Sequence, residues 1–222
     1  MPFRIAAVIA VLVCAASIAQ AGNFVRSFAI TNDTYLDAGD ELQSKSAEIT
    51  VQWQARNADE KVPMFLLAAN AMQGGETFDS ARVVIFPVMS PSFEANAVLY
   101  HILSAPTLTE ESWLRRDATH LWEIAGAWGA TDVDLANPLY SFAMWTGSLD
   151  SVTIARGAVF STFVADTVLG SNAWVALHDD GLDTSALHVW SSYEGPPGPM
   201  QLRIYGHRPV SIHRRVILND QP

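Results

Sequence analysis

Ten residues, 47–56, constrain most strongly what this chain can fold into. Ala47, Ile49, Val51, Trp53 and Ala55 alternate with Glu48, Thr50, Gln52, Gln54 and Arg56. Alternation of that length puts the apolar side chains on one face and the polar ones on the other, as a half-buried antiparallel strand requires. Trp53 then faces a core, and Asn57-Ala58-Asp59 reads as the following turn. Shorter pieces repeat the theme. Residues 24–30, 62–69, 81–88, 97–103, 151–155, 174–177, 187–193 and 201–205 each read as strand. Asn32-Asp33, Gly74-Gly75, a loop over 87–96 and Gly195-Pro196-Pro197-Gly198-Pro199 break the chain between them. Pro63 belongs at the start of its strand, where a missing N–H is tolerated. One stretch departs from period two: Phe160, Phe163, Val164 and Val168 follow helical spacing, and Gly170 is a natural stop. Short strands with turns between them predict an all-β sandwich with one short helix and long loops.

The longest connection, residues 108–134, holds Trp113, Trp122 and Trp128 together with many acids. It is too mixed for a strand and too interrupted, by Gly126 and Gly129, for one helix. Thr107 and Glu110 suit a capped helical turn at its start. A connection this long in a compact domain is either functional or a packed plug. Residues 137–147, with Tyr140, Phe142 and Trp145, read as a second irregular segment.

The chain opens with Arg4, a short apolar run and Ala19-Gln20-Ala21, the pattern of a secretory signal peptide over 1–21. Removing 21 of the 222 residues leaves 201, and losing Arg4 takes the formal charge from −10 to −11. Cys14, the single cysteine, would be lost as well. The expectation is a secreted, extracellular protein without disulfides and with no membrane span after processing. Its single domain covers 22–206, and a short tail follows over 207–222. The acidic balance argues against nucleic acid as a partner, because its phosphates would be repelled, and attraction to any polyanion would need the cations to cluster. No Gly-x-Ser-x-Gly, His-Glu-x-x-His or phosphate loop is present, which argues against the common enzyme classes.

The order of features resembles a known family. Glu110-Glu111-Ser112-Trp113-Leu114-Arg115-Arg116, then Trp122, then Gly126-Ala127-Trp128-Gly129-Ala130-Thr131-Asp132-Val133-Asp134 is similar to the middle of the DNRLRE-type extracellular domain. Ser80-Ala81-Arg82-Val83, residues 152–168, and Trp190-Ser191-Ser192-Tyr193-Glu194 followed by Leu202-Arg203-Ile204 fit its flanks. The family's eponymous motif is absent, and residues 41–46 stand where the family has a Gly-Ser-rich strand entry. The resemblance implies a jelly-roll β-sandwich related to carbohydrate-binding modules, some of which bind acidic polysaccharides.

On that reading the partner is a polysaccharide or extracellular matrix, and binding calls for exposed aromatic faces and cations. Trp128, Trp145 and Trp190 are the aromatic candidates, while Trp113 and Trp122 read as loop anchors. Trp190 shares a strand face with His188, opposite Leu187 and Val189, and is expected to point away from the core. Arg56 and Lys61 flank a turn, Arg82 and Arg203 alternate outward on strands, and Arg115 and Arg116 sit in the long loop. Planar guanidinium groups suit carboxylates and sulfates. Asp132 and Asp134, two apart after a glycine turn, are the candidate ligands for a structural calcium. Two other readings stand beside this one: a structural or adhesive surface protein with no sugar site, and a stand-alone polysaccharide lyase using His188, Tyr193 and Arg203.

Overall fold

The computed structural model describes residues 22–55, 59–89, 95–144, 151–180, 187–192 and 198–208. They build an all-β, sandwich-like fold of antiparallel sheets with one short helix and long loops. The strands are β1 (Gly22–Ala29), β2 (Asp33–Asp37), β3 (Thr50–Gln54), β4 (Lys61–Leu67), β5 (Thr77–Ile85), β6 (Pro87–Met89) and β7 (Asn96–His101), followed by β8 (Tyr140–Ala143) and β9 (Val152–Ala155). Helix α1 (Gly157–Phe163) runs on into a π-helical turn, Val164–Val168, before β10 (Ala173–Asp179), β11 (Leu187–Ser191) and β12 (Gln201–Arg208). The smaller sheet has the order β1-β12-β5-β9. The larger has the order β6-β11-β3-β4-β10-β7-β8, with β2 also paired to β4. No helix among the described residues is long and apolar enough to cross a membrane.

The two sheets close on one core. Val51 and Trp53 from β3, Phe65 and Leu67 from β4, and Val175 and Leu177 from β10 meet Val83, Ile85, Leu202 and Ile204 from the smaller sheet. Trp53 is fully buried, as the period-two pattern of its strand requires. The helix adds Phe160, Val164 and Val168 to the same core. It also covers a gap in the sheet: β9 pairs β5 only at Val83–Ile85, and the Ala81 N–H beyond that pairing donates to Ser161 Oγ at 3.1 Å.

A second apolar cluster lies on the other face of the larger sheet. Leu36, Val62, Met64 and Ala176 alternate with the inward residues of their strands and pack under Ile102, Trp122, Ala127 and Val133. The long connection is therefore a third layer, laid over the sheet's outer face rather than over the end of the sandwich. Its shape depends on two glycines. Gly126 has φ +76°, and a Cβ there would sit 2.5 Å from the Trp113 ring; a Cβ on Gly129 would sit 2.4 Å from the Glu123 Cβ and 2.6 Å from Asp132 Oδ2. Trp122 Nε1 donates to the Ser112 carbonyl at 3.0 Å, and Trp128 Nε1 to Glu60 Oε1 at 2.8 Å. Two strands differ from expectation because of this layer and its neighbours. Asn32-Asp33 reads as a turn, yet Asp33 opens β2, whose five residues are all buried between the core and the plug. The segment after Pro138 reads as irregular but pairs along β7 as β8. At the far end, β12 runs through Arg208, so His207 and Arg208 belong to the sheet rather than to a tail.

Candidate functional site

The candidate site residues distribute over three environments. Trp190 and His188 face the core, contrary to the outward orientation expected for them. Both are fully buried, the indole Nε1 donates to Met200 Sδ at 3.0 Å, and the imidazole meets Trp53 edge-on with centroids 5.4 Å apart. The face of β11 that carries Leu187 and Val189 is the more exposed one, although those residues are aliphatic. The hydropathy of the four letters misleads because the polar tip of His188 is buried beside a ring. Neither residue can touch a ligand from solvent. Of the lyase trio, Tyr193 lies outside the described residues, while His188 points into the core and Arg203 out of the opposite sheet.

The plug takes the second group. Arg115 is exposed, and Arg116 lies half-buried with its Nε 3.6 Å from Asp117 Oδ2. Trp128 is half-buried with its ring 4.1 Å from that of His178, so it serves the plug as an anchor. Asp132 is buried, and its Oδ2 accepts from the Gly129 N–H at 3.2 Å and the Ile124 N–H at 3.3 Å. Asp134 accepts from Asn137 Nδ2 at 3.0 Å on both oxygens. These two acids brace separate turns, and the described residues bring together no group of three or more His, Cys, Asp or Glu side chains. Glu111, which sequence reasoning used only as part of a motif, clamps the plug to the sheet. It accepts from Thr34 Oγ1 at 2.9 Å and Ser44 Oγ at 2.7 Å, and burial raises its carboxyl above the usual range against the pull of those bonds. Lys61 is held by Asp37 at 2.8 Å. Arg56 and Trp145 lie outside the described residues.

The third environment is the outer face of the smaller sheet, which no layer covers among the described residues. Leu202 and Ile204 point inward, so Arg203 and Tyr205 point out. Arg203 stands directly opposite Arg82, and Tyr205 opposite Ser80. Like charges directly opposite one another disfavour a strand pair, yet among the described residues no carboxylate pairs with either arginine. The Arg82 guanidinium lies over the Tyr205 ring at 5.1 Å, and Arg203 Nε donates to Gln201 Oε1 at 3.0 Å. Arg156, exposed at the start of α1, donates to the Tyr140 hydroxyl at 2.9 Å. It shares a shallow depression of about 350 Å³ with Arg82, Ser80 and Asp79. A second depression of about 450 Å³ continues from Asp79 and Ser80 past Tyr205 to Asn23 and Val25 of β1. Asp79 is the extra residue of a β-bulge, because pairing steps from Tyr205–Ser80 to Gly206–Phe78. It accepts from His207 Nδ1 at 2.8 Å.

Two further arginines show the contrast. Arg26 and Arg208 both bind Glu76, whose side chain is 2% exposed, and both guanidinium groups lie over the Phe24 ring. Burial works against charge on Glu76, but the Gln73 N–H and the two guanidinium groups hold its carboxyl below the usual range. Those cations are committed to the fold, whereas Arg82, Arg156 and Arg203 are not. Sequence reasoning found Arg82 and Arg203 and missed Tyr205 and Arg156. Tyr205 was recoverable, since it alternates with Ile204 on the strand that carries Arg203. Arg156 carried no pattern of its own. The chain matches no family model and no curated protein.

Proposed function

We propose that this chain is a secreted, non-catalytic, carbohydrate-binding-like β-sandwich whose bare sheet face binds an extracellular polysaccharide carrying carboxylate or sulfate groups. The carrying observation is the pair Arg82 and Arg203, opposite in register and paired with no carboxylate among the described residues, with Tyr205 beneath one of them. A guanidinium held over an aromatic ring keeps N–H groups available, and these can fork a carboxylate or sulfate. Ser80 and the Tyr140 hydroxyl supply neutral hydrogen-bonding groups alongside. The resemblance to DNRLRE-type extracellular domains supports the same class. The test is affinity electrophoresis of the chain from Gly22 through gels containing neutral or acidic polysaccharides. Retardation by acidic gels that weakens with salt is expected, and free migration through every gel would sink the proposal.

One observation favours the adhesive alternative. Leu103, Leu121 and Ile124 on the plug are 53%, 67% and 55% exposed, and both Leu103 and Ile124 attach to Asp132 through their backbone N–H groups. Exposed apolar side chains of this kind on one layer suit a protein contact. Retention of binding to a matrix protein after loss of Arg82 and Arg203, but not after Leu121→Asp, would favour it.

A further inference from the structure

The smaller sheet ends on β1, and no described residue pairs with the far edge of that strand. The backbone direction of each β1 residue follows from one bond. The Ile30 N–H donates to the Met200 carbonyl at 2.8 Å, two residues beyond the Phe28–Leu202 pair. Hydrogen-bonded positions recur at every second residue of an antiparallel ladder. Phe24, Arg26 and Phe28 therefore turn their backbone groups to β12, and Asn23, Val25, Ser27 and Ala29 turn theirs to the open edge. The side chains of these four are exposed and neutral.

Sheet edges are normally blunted by Lys, Pro, a bulge, an inward charge or short length. β1 runs eight residues in unbroken register with neither Lys nor Pro, and its one charge, Arg26, is held by Glu76. The opposite edge strand, β9, has four residues. We infer that β1 pairs antiparallel with β1 of a second copy of this chain, about a two-fold axis through Val25. The occupant is a second copy because the edge is self-complementary. Centring on Val25 sets Asn23 against the partner's Ser27, Val25 against the partner's Val25 and Phe24 against the partner's Arg26. No charge then faces a like charge, and the strand contains no acid in a chain of net charge −10. Three hydrogen-bonded pairs supply about six ladder bonds, and a two-fold contact of this kind closes without leading to filaments. Pairing joins the two bare faces into one continuous sheet surface. The pairing itself stands on the edge alone, whatever the ligand.

Light scattering on the chain from Gly22, over a dilution series, tests it. A mass that rises from one chain to two with concentration is expected. Val25→Lys sets two like charges face to face on the axis and is expected to stay at one chain. Because that side chain is on the exposed face, the variant folds, which circular dichroism checks. Leu121→Asp on the opposite side of the molecule is expected to dimerise as the parent does. Val25→Cys is expected to give a disulfide-linked dimer on oxidation, since the chain from Gly22 has no other cysteine. A single-chain mass at every concentration, or a dimer that survives Val25→Lys, overturns the inference. So does slow amide exchange at Val25 and Ser27 in a monomer, because the edge is then covered by the chain itself.

Discussion

The two sheets of this molecule treat their outer faces in opposite ways. The larger sheet is roofed by residues 103–139, and polar groups such as Thr34 and Glu60 beneath the roof and Glu111 on its underside end up buried. The outer face of the smaller sheet is left bare among the described residues, and there Arg82 and Arg203 pair with no described carboxylate. The lesson is that polarity on a strand does not by itself mark a solvent face. On one side polar letters became ties for a packed layer, and on the other they stayed available to a ligand. Under the proposed function, stability and recognition fall to different surfaces.

The strongest way to break the comparison is to damage the roof. Trp122→Ala removes the largest side chain at the centre of the plug's cluster and should cost about 3–5 kcal/mol, read by urea denaturation. Tyr205→Ala, on the bare face, should cost well under half of that while weakening retardation by acidic polysaccharide. Equal losses from the two variants would mean that the faces are not divided as described.

Acid should act on the interior common to both. Burial holds the His188 imidazole down at about 4, against an ordinary value near 6.5. Below about pH 6.5 the unfolded chain takes up a proton that the folded chain refuses. Stability is therefore full above about pH 6.5 and falls as pH drops toward about 4, by up to about 3 kcal/mol. His188→Phe should flatten that slope in melting curves, and an unchanged slope would assign the acid sensitivity elsewhere.

Smaller effects sharpen the contrast. Gly126→Ala places a Cβ against Trp113 at a positive φ and should cost about 1–3 kcal/mol, with faster exchange of plug amides and unchanged polysaccharide binding. Arg82→Ala and Arg203→Ala should each leave stability within about 0.5 kcal/mol, because each removes one of two like charges. Each should weaken binding about tenfold, since a charge-assisted hydrogen bond contributes about 1.5–3 kcal/mol.

The sandwich was legible in the sequence because β3 and β12 alternate cleanly enough to mark one buried face each. The third layer was not. Its presence shows in β2, β4 and β10, which are buried on both sides and so lose the alternation by which strands are recognised. The same covering explains why Glu111 and Trp128 read as binding candidates or motif letters rather than as ties. His188 and Trp190 failed for a different reason: a polar-aromatic pair on the inward face mimics an outward one when the other face is Leu and Val. Of the bare-face cluster, Arg82 and Arg203 followed from period two, but their direct opposition depends on the register between β5 and β12. No single-strand pattern contains that register.

The ties of the plug also carry a consequence for how the chain reaches its native state. Thr34 and Glu111 are 77 residues apart, and Glu60 and Trp128 are 68 apart. Contacts of such long sequence separation form only after the intervening loops have closed. The surface that receives the plug also does not exist until β2, β4, β7 and β10 are side by side. Docking of residues 103–139 is thus a late event, and until it occurs Leu36, Val62 and Met64 face water in a nascent sheet. The interval before the roof closes, rather than collapse of the sandwich, is when this chain is most exposed to mispairing with its neighbours.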